Sequence, residues 1–151
     1  MWPSKKYPPI NELSDDEDLW SVMQASTVDG PVLVRVNTSA KRWSKHPSLG
    51  TRVGFAIPFE HPNSDAGSVP FENAALNQME EKMLSYLKSA GPAIHVLTIT
   101  TGTFKEFVFY VQNGGAIGSI YEKLRAETTS HDVQCMAVRD SEWTVYASFS
   151  K

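Results

Sequence analysis

Apolar residues recur along this chain with two different spacings. Over 51–59 every second residue is apolar: Val53, Phe55, Ile57 and Phe59. This alternation predicts a strand over 51–59 that is buried on one side. Over 70–90 the apolar residues instead stand three or four positions apart: Leu76, Met79, Met83 and Leu87. Their spacing predicts an amphipathic helix over 70–90, which Pro70 opens and Gly91 with Pro92 ends.

Two β-rich runs follow this helix. They predict strands over 93–101 and 104–111 that pair across a tight turn at Gly102 and Thr103. One face of the pair carries Ile94, Val96, Thr98, Phe107, Phe109 and Val111. The other face carries His95, Leu97, Ile99, Phe104, Glu106, Val108 and Tyr110. Both faces are therefore largely apolar, and this register puts His95 opposite Tyr110.

A second helix and one more strand complete an alternating series. The "NGG" break precedes a stripe of apolar residues that predicts a helix over 115–127, and "VQCMAVRD" predicts a strand over 133–139. From residue 51 the order is strand, helix, strand, strand, helix, strand. That order predicts an α+β fold with the ferredoxin-like, split β-α-β arrangement.

The first residues of the chain look unlike the rest. Residues 1–16 contain three prolines and the start of an acidic cluster, so we interpret them as a flexible arm before a single domain over 17–151. A short helix competes for the segment that follows, because Ser14 and Glu17 fit a capping box.

We favour a β-hairpin at this place, with strands over 19–28 and 32–37. Asp29-Gly30 separates the two runs, and this dipeptide is a frequent two-residue hairpin turn. The corresponding register puts Met23 opposite Val36 and gathers the apolar residues of both strands on one face. That face requires something to cover it.

The chain ends on "RDSEWTVYASFSK", in which three aromatic residues follow an acidic pair. Trp143, Tyr146 and Phe149 stand behind Asp140 and Glu142. We predict a short C-terminal β segment that anchors the carboxyl end to the sheet, with the acidic pair in the preceding turn.

Charge argues against nucleic acid as a partner. The chain has 14 basic and 17 acidic side chains and a net charge of −3, which does not favour a broad phosphate-binding surface. The strand "TFKEFVFY" agrees with the basic and aromatic octamer of RNA-recognition domains only at Phe107, Val108 and Tyr110, as any buried strand would.

The single cysteine, Cys135, gives no disulfide framework, and no segment is apolar enough for a signal peptide or a membrane span. A chain of 151 residues with 41% hydrophobic residues can bury a core without staples. We therefore expect a soluble, cytoplasmic protein without membrane contact.

Four segments resemble a known bacterial family, the domain of unknown function 695. They are "DGPVLVRVN", "GSVPFENAALNQMEEKMLSYL", "LTITTGTFKEFVFYV" and "RDSEWTVYASF". The resemblance covers nearly everything after the first seventeen residues. It implies a soluble bacterial domain, found in some relatives beside a domain similar to the regulator of ribonuclease E activity B, a ferredoxin-like inhibitor protein. The family has no assigned reaction, so the resemblance implies no site residues.

No motif in the sequence indicates a catalytic residue, a cofactor or a metal site. The candidate metal ligands are His46, His61, His95, His131 and Cys135. They do not form the tight pairs that zinc sites use. The glycines of "NGGAIGSIYEK" do not have the spacing of a dinucleotide-binding fingerprint, and we favour a turn there over an anion site.

One polar group stands out on an otherwise apolar face, namely Arg52, His95, Glu106 and Tyr110. With Leu97 and Phe104, these residues form our tentative ligand or interaction face. The leading hypothesis is a non-enzymatic module that acts through protein contact, as a homodimer or a regulatory partner. It rests on a second apolar sheet face that either the hairpin or another chain must cover. The alternative is a small-ligand-binding domain with its polar site on this face.

Overall fold

The computed structural model describes residues 7–15, 19–28, 30–60 and 70–150. Its strands are β1 (Trp20–Thr27), β2 (Gly30–Asn37), β3 (Thr51–Pro58), β4 (Ala93–Thr100), β5 (Phe104–Val111) and β6 (Gln134–Arg139). Its α-helices are α1 (Pro70–Ala90), α2 (Ile117–Glu127) and α3 (Thr144–Phe149). Short 3-10 helices span Ile10–Asp15, Thr38–Trp43 and Gly114–Ala116. None of the described helices has the length and apolarity that a membrane crossing requires.

The strands form one antiparallel sheet in the order β1-β2-β4-β5-β3-β6. The predicted α+β class is therefore confirmed. Strand β5 and helix α1 have the predicted bounds, and the other predicted elements from residue 51 to 139 differ by one or two residues at one end.

Helices α1 and α2 cover one face of the sheet, which we call the helix face. Its core contains Val53, Phe55 and Ile57 of β3, Phe107 and Phe109 of β5, Leu76, Met83 and Leu87 of α1, and Ile117, Ile120 and Leu124 of α2. The prediction that Phe107 and Phe109 point toward the helices is confirmed. Burial of these side chains is the main source of stability on this side.

The opposite face, which we call the second face, is covered by the chain itself. Its core joins sheet residues to residues from two connecting segments: Ala40, Trp43 and Leu49 after β2, and Trp143 and Tyr146 after β6. Trp143 stacks on Tyr110 with ring centroids 4.1 Å apart. The expected cover by the hairpin is wrong, because the hairpin extends the sheet and these two segments of the same chain supply the missing layer.

The predicted hairpin is confirmed, but it extends the sheet through β2 and β4 and its turn is displaced. Met23 pairs with Val34 rather than with Val36, which is a shift of two residues. A shift of two preserves the faces, since side chains alternate with a period of two. Asp29 of the predicted turn lies outside the described residues, as do Glu17 and His61.

A β-bulge between His95 and Leu97 changes the predicted pairing of β4 with β5. The pairs from Leu97 to Thr100 follow the predicted register, but His95 pairs with Phe109 instead of Tyr110. The extra residue turns the rest of β4 over, because each residue alternates between faces. The predicted pairing of His95 with Tyr110 is therefore wrong. The Nδ2 group of Asn37 donates to the carbonyl oxygen of His95 at 2.8 Å, which satisfies the backbone at the bulge.

The C-terminal segment is helix α3 rather than the predicted β segment. Val145, Tyr146 and Phe149 all contact the core of the second face. Phe149 stands three positions from Tyr146 and four from Val145, and such positions share a helical face, whereas a strand would turn Tyr146 to the face opposite Val145 and Phe149. The anchoring role is preserved. Trp143 is fully buried in a left-handed backbone conformation with φ of 53°.

Part of the predicted flexible arm is also packed. Ile10 and Leu13 of the first 3-10 helix contact the core of the second face. The carbonyl oxygen of Pro8 lies 2.8 Å from Nε2 of His46, whose ring is 5.5 Å from that of Tyr7. The described residues of the arm are therefore held against the loop that follows β2.

Asp140 ties the last segment to the sheet. Its carboxylate accepts hydrogen bonds from the Tyr110 hydroxyl at 2.8 Å, from Arg52 at 3.0 Å, and from the backbone and hydroxyl of Thr144 at 3.0 Å each. Burial alone would raise the pKa of Asp140, but the hydrogen bonds from Thr144 and Tyr110 and the charge of Arg52 outweigh it and lower that pKa. Burial raises the pKa of Tyr110, so this hydroxyl stays a donor.

We expect Asp140→Asn to lower the free energy of unfolding by about 1–3 kcal/mol at pH 7, because buried donors lose their charged acceptor. Since the folded pKa of Asp140 is lowered, its contribution is present above the unfolded pKa of about 3.9 and is lost as pH falls through the folded value. Urea denaturation between pH 2 and pH 7 measures both effects.

Glu142→Gln is the matched control, because Glu142 is 71% exposed and pairs with Lys45 at the surface. It should change stability by less than about 1 kcal/mol. Equal losses in the two variants would show that Asp140 does not hold the segment.

Candidate functional site: a basic cleft beside helix α1

The helix face is not completely covered. Helix α1 packs against β4 and β5, whereas the β1-β2 hairpin extends the sheet on the far side of β4. A cleft with a volume of 330 Å³ lies where the helix layer ends. It is lined by Val22, Leu33, Arg35, Asn77, Thr98, Thr100 and Lys105.

Strand register explains why these side chains meet. Thr100 of β4 pairs with Leu33 of β2 on one side and with Lys105 of β5 on the other. Thr98, two positions along β4, pairs with Arg35. Residues two apart in a strand share a face, so both cross-strand rows point into the cleft.

Lys105 is a charged residue on a buried face. It is 3% exposed, and its Nζ donates to Oδ1 of Asn77 at 2.6 Å and lies 5.9 Å from the ring centre of Phe107. Burial lowers the pKa of Lys105 to about 8; the charge of Arg35 adds to this effect and that of Glu80 opposes it. The amine is thus still mostly protonated at pH 7.

Arg35 is held in position from two sides. Its guanidinium donates to Oε1 of Glu80 at 2.9 Å and lies 4.7 Å from the ring centre of Trp20. The Thr98 hydroxyl also donates to Oε1 of Glu80, at 3.4 Å. A guanidinium with a fixed orientation suits the recognition of a planar anion such as a carboxylate.

His95 lies beneath this cleft as a neutral core residue. Burial lowers its pKa to about 3, opposed by the hydrogen bond to the carbonyl of Leu97, so the 3.8 Å approach of Nδ1 to Glu80 is not an ion pair at neutral pH. Its ring packs 4.8 Å from Trp20 and 4.7 Å from Phe109. His95 is therefore a neutral, buried ring of this layer at neutral pH.

The structure divides the tentative face predicted from the sequence. His95 lies on the helix face because of the bulge, whereas Arg52 and Tyr110 lie on the second face and share the carboxylate of Asp140. Leu97 is fully buried in the core of the second face. Of the predicted polar residues, His95 is therefore separated from Arg52, Glu106 and Tyr110, which stay on one face.

Two further residues of that tentative face remain beside β3. Phe104 is half-buried, and Glu106 extends over Gly54 so closely that a Cβ atom there would lie 2.6 Å from its Oε2. Burial raises the pKa of Glu106, and Arg52 opposes that shift. Gly54 thus provides the room for this carboxylate.

Sequence reasoning missed Lys105 and Arg35 as site residues. A signal for Lys105 was present, because strand alternation places it on the same face as Phe107 and Phe109. A lysine on a predicted core face indicates either a cleft or a buried partner. Arg35 had no comparable signal, since its surroundings depend on which strand neighbours β2.

A second hollow has a slightly larger volume but fewer polar groups in its lining. It has a volume of 350 Å³ and is lined by Ile10, Asn11, Leu13, Lys88, Gly91, Pro92 and Ala93. Its lining is mainly apolar, and its one cation is on the exposed side of α1. The cleft at Lys105 has the convergent polar groups that binding sites use.

A protein-family model matches residues 18–150, and its description is a family of unknown function (DUF695). The resemblance noted for the four sequence segments is confirmed. Neither a curated protein nor a solved structure matches the chain. The matched range includes every residue that lines the cleft.

We expect Lys105→Met to leave the free energy of unfolding at pH 7 within about 1.5 kcal/mol of the wild type, or to raise it. Methionine fills the volume of the lysine stem without the desolvation of an ammonium group. Guanidinium denaturation measures this, with Leu87→Ala in the same layer as a control that should lose about 2–5 kcal/mol.

The pH dependence gives a second readout. The folded pKa of Lys105 is about 8 and the unfolded pKa about 10.4, so wild-type stability should rise relative to Lys105→Met between these values. A loss of more than about 2 kcal/mol in Lys105→Met at pH 7 would instead identify Lys105 as a structural contact to Asn77.

Proposed function

The chain belongs to DUF695, a family of unknown function, and we propose that it is a small-ligand-binding domain whose cleft beside α1 takes a small organic anion. The observation that carries this proposal is the position of Lys105, a protonated amine inside the apolar helix layer at the wall of an open cleft. Charged lysines are rarely buried to this extent, and perturbed groups in clefts are enriched at functional sites.

Charge favours an anion. The described residues that line or flank the cleft include two cations, Arg35 and Lys105, and the carboxylate of Glu80. Because His95 is neutral, the sum is positive. In a partly desolvated cleft an ionised oxygen of the ligand gains more from these cations than it would in water.

The lining also limits the size and shape of the ligand. A volume of 330 Å³ is near the lower end of small-molecule sites, which run from roughly 300 to 1,000 Å³. Val22 and Leu33 offer apolar contact, while Thr100 and Asn77 offer hydrogen bonds. A short carboxylic acid or a small phosphate ester has the matching combination of one anionic end and one apolar end.

The arrangement supports binding rather than turnover. The imidazole beneath the cleft, that of His95, is 3% exposed and has a pKa of about 3, so it is neither accessible nor basic enough for proton transfer at neutral pH. We therefore propose a non-enzymatic domain, in agreement with the expectation from the sequence.

A protein-contact role is the second candidate. The sequence hypothesis for this role relied on an apolar sheet face without cover, but the second face is covered by the chain itself. Edge strand β6 still exposes Met136 by 47% and Val138 by 36% beside Arg52, and apolar residues on a sheet edge favour association.

For a homodimer through this edge, we expect Met136→Glu to shift the mass measured by sedimentation equilibrium from dimer to monomer. A monomeric wild type would contradict the homodimer.

The ferredoxin-like arrangement predicted for 51–139 is also a proposal. It is supported by the order β6-β3-β5-β4 and by the two helices on one face. The cytoplasmic location and the bacterial source rest on the sequence and on the resemblance, and they stay predictions.

The ligand test is a thermal-shift screen with dicarboxylates, 2-oxo acids and sugar phosphates. An anion present at 100 times its Kd should raise Tm by roughly 5–10 °C. Arg35→Gln and Lys105→Met should each weaken its binding at least tenfold, because each removes one charge from the cleft. Binding should also weaken as pH rises above about 8, where Lys105 loses its proton.

Lys45→Gln is the charge-matched control, since Lys45 lies in the loop after the 3-10 helix Thr38–Trp43, on the second face. Its affinity should equal that of the wild type. The proposal fails if no anion of these classes stabilises the protein, or if the two cleft variants bind as tightly as the control.

A further inference from the structure

Three potential metal ligands meet where β3 ends and β6 begins. Glu60 follows β3, Glu72 lies in the first turn of α1, and His131 lies between α2 and β6. One ligand atom from each lies within 4.8 Å of the others. Glu72 is 12 residues from Glu60 and 59 from His131 in the chain, so no local sequence motif indicates that the three residues lie together.

The fold brings these residues together by strand pairing. Strand β3 pairs with β6 so that Ala56 is opposite Gln134, which places the end of β3 beside the start of β6. Phe59 and Val133, next to two of the ligands, are buried in the core of the helix face. The backbone beside these ligands is therefore held in place by the core of the helix face.

Two of the three ligands are shielded from solvent. The side chains of Glu72 and His131 are 6% and 7% exposed, and Glu60 lies at the surface. Oε2 of Glu72 accepts the backbone N–H of Glu60 at 2.6 Å and lies 2.5 Å from Nε2 of His131. A buried carboxylate and imidazole in such close contact share either a proton or a metal ion.

A further hydrogen bond orients the imidazole. Nδ1 of His131 lies 2.9 Å from the hydroxyl of Ser130, which leaves Nε2 facing the two carboxylates. Metal-binding histidines commonly have such a partner on the nitrogen that does not bind the metal. Two carboxylates and one imidazole are three ligands of kinds that zinc accepts, and Glu60 at the surface leaves a fourth position open to water.

We propose that Glu60, Glu72 and His131 bind a divalent transition-metal ion such as Zn²⁺ or Mn²⁺. The imidazole favours Zn²⁺ over Mg²⁺ and Ca²⁺, which prefer oxygen ligands alone, and the two carboxylates also suit Mn²⁺. The ion links the end of β3, the start of α1 and the start of β6. This site is independent of the cleft beside α1, because the two share no residue.

The experiment uses the full chain without a tag, freed of metal by a chelator that is then removed. Calorimetric titration with Zn²⁺ should show one strong site per chain, and excess Zn²⁺ at 100 times Kd should raise Tm by roughly 5–10 °C. Mg²⁺ at the same concentration should have little effect. Co²⁺ should give visible absorption bands of a low-coordinate site.

Glu60→Gln is the decisive variant. Glu60 donates to Glu72 through its backbone N–H, so this variant keeps that hydrogen bond and the contact between Glu72 and His131. It should leave the metal-free Tm unchanged and weaken Zn²⁺ binding at least tenfold. Glu81→Gln, an exposed change on α1, should leave both unchanged. Cys135→Ser should also bind Zn²⁺ normally.

Glu72→Gln and His131→Gln should abolish the strong site, but they also remove a buried contact, so their metal-free Tm is measured alongside. The proposal is overturned if the wild type has no strong Zn²⁺ site, or if Glu60→Gln binds Zn²⁺ as tightly as the wild type. Either result would leave Glu72 and His131 as a structural pair that shares a proton.

Discussion

The central strands β4 and β5 have apolar side chains on both faces, and the fold depends on keeping both faces away from water. Two unlike layers do this: α1 and α2 on the helix face, and the connecting segments with Trp43, Leu49, Trp143 and Tyr146 on the second face. Helices bury area through regular stripes, whereas loops require anchors for their polar backbone. The hydrogen bonds of Asp140, and that of the Trp143 indole to the Leu49 carbonyl at 2.8 Å, are such anchors.

Charged side chains lie at the margins of the helix layer, against apolar residues. Beside α1, the cleft next to the hairpin contains Arg35 and Lys105. In the first turn of the same helix, Glu72 meets His131 and Glu60. Both places hold ionisable side chains against apolar walls, where each interaction is stronger than in water and an unsatisfied group is costly. Such places are where ligands and ions contribute most to stability.

The extra residue of the bulge in β4 decides which face of the sheet carries His95. Had the register continued past Leu97, His95 would have joined Tyr110 and Arg52 on the second face. The bulge instead places His95 under Trp20, and its pKa of about 3 follows from that burial. Asn37 stabilises the bulge through the His95 carbonyl and also accepts the Tyr146 hydroxyl at its own carbonyl, 2.7 Å away. The same residue thus connects the two layers.

The sequence by itself determined the elements from residue 51 to 139 and the apolar character of both faces of β4 and β5, because periodicity is a local property that burial enforces. It did not determine that α3 is a helix, since six residues satisfy either period. Tertiary structure alone decided the bulge, the cover of the second face, and the meetings of Arg35 with Lys105 and of Glu72 with His131. Those contacts join residues far apart in the chain, and only the packing of whole elements sets which side chains become neighbours.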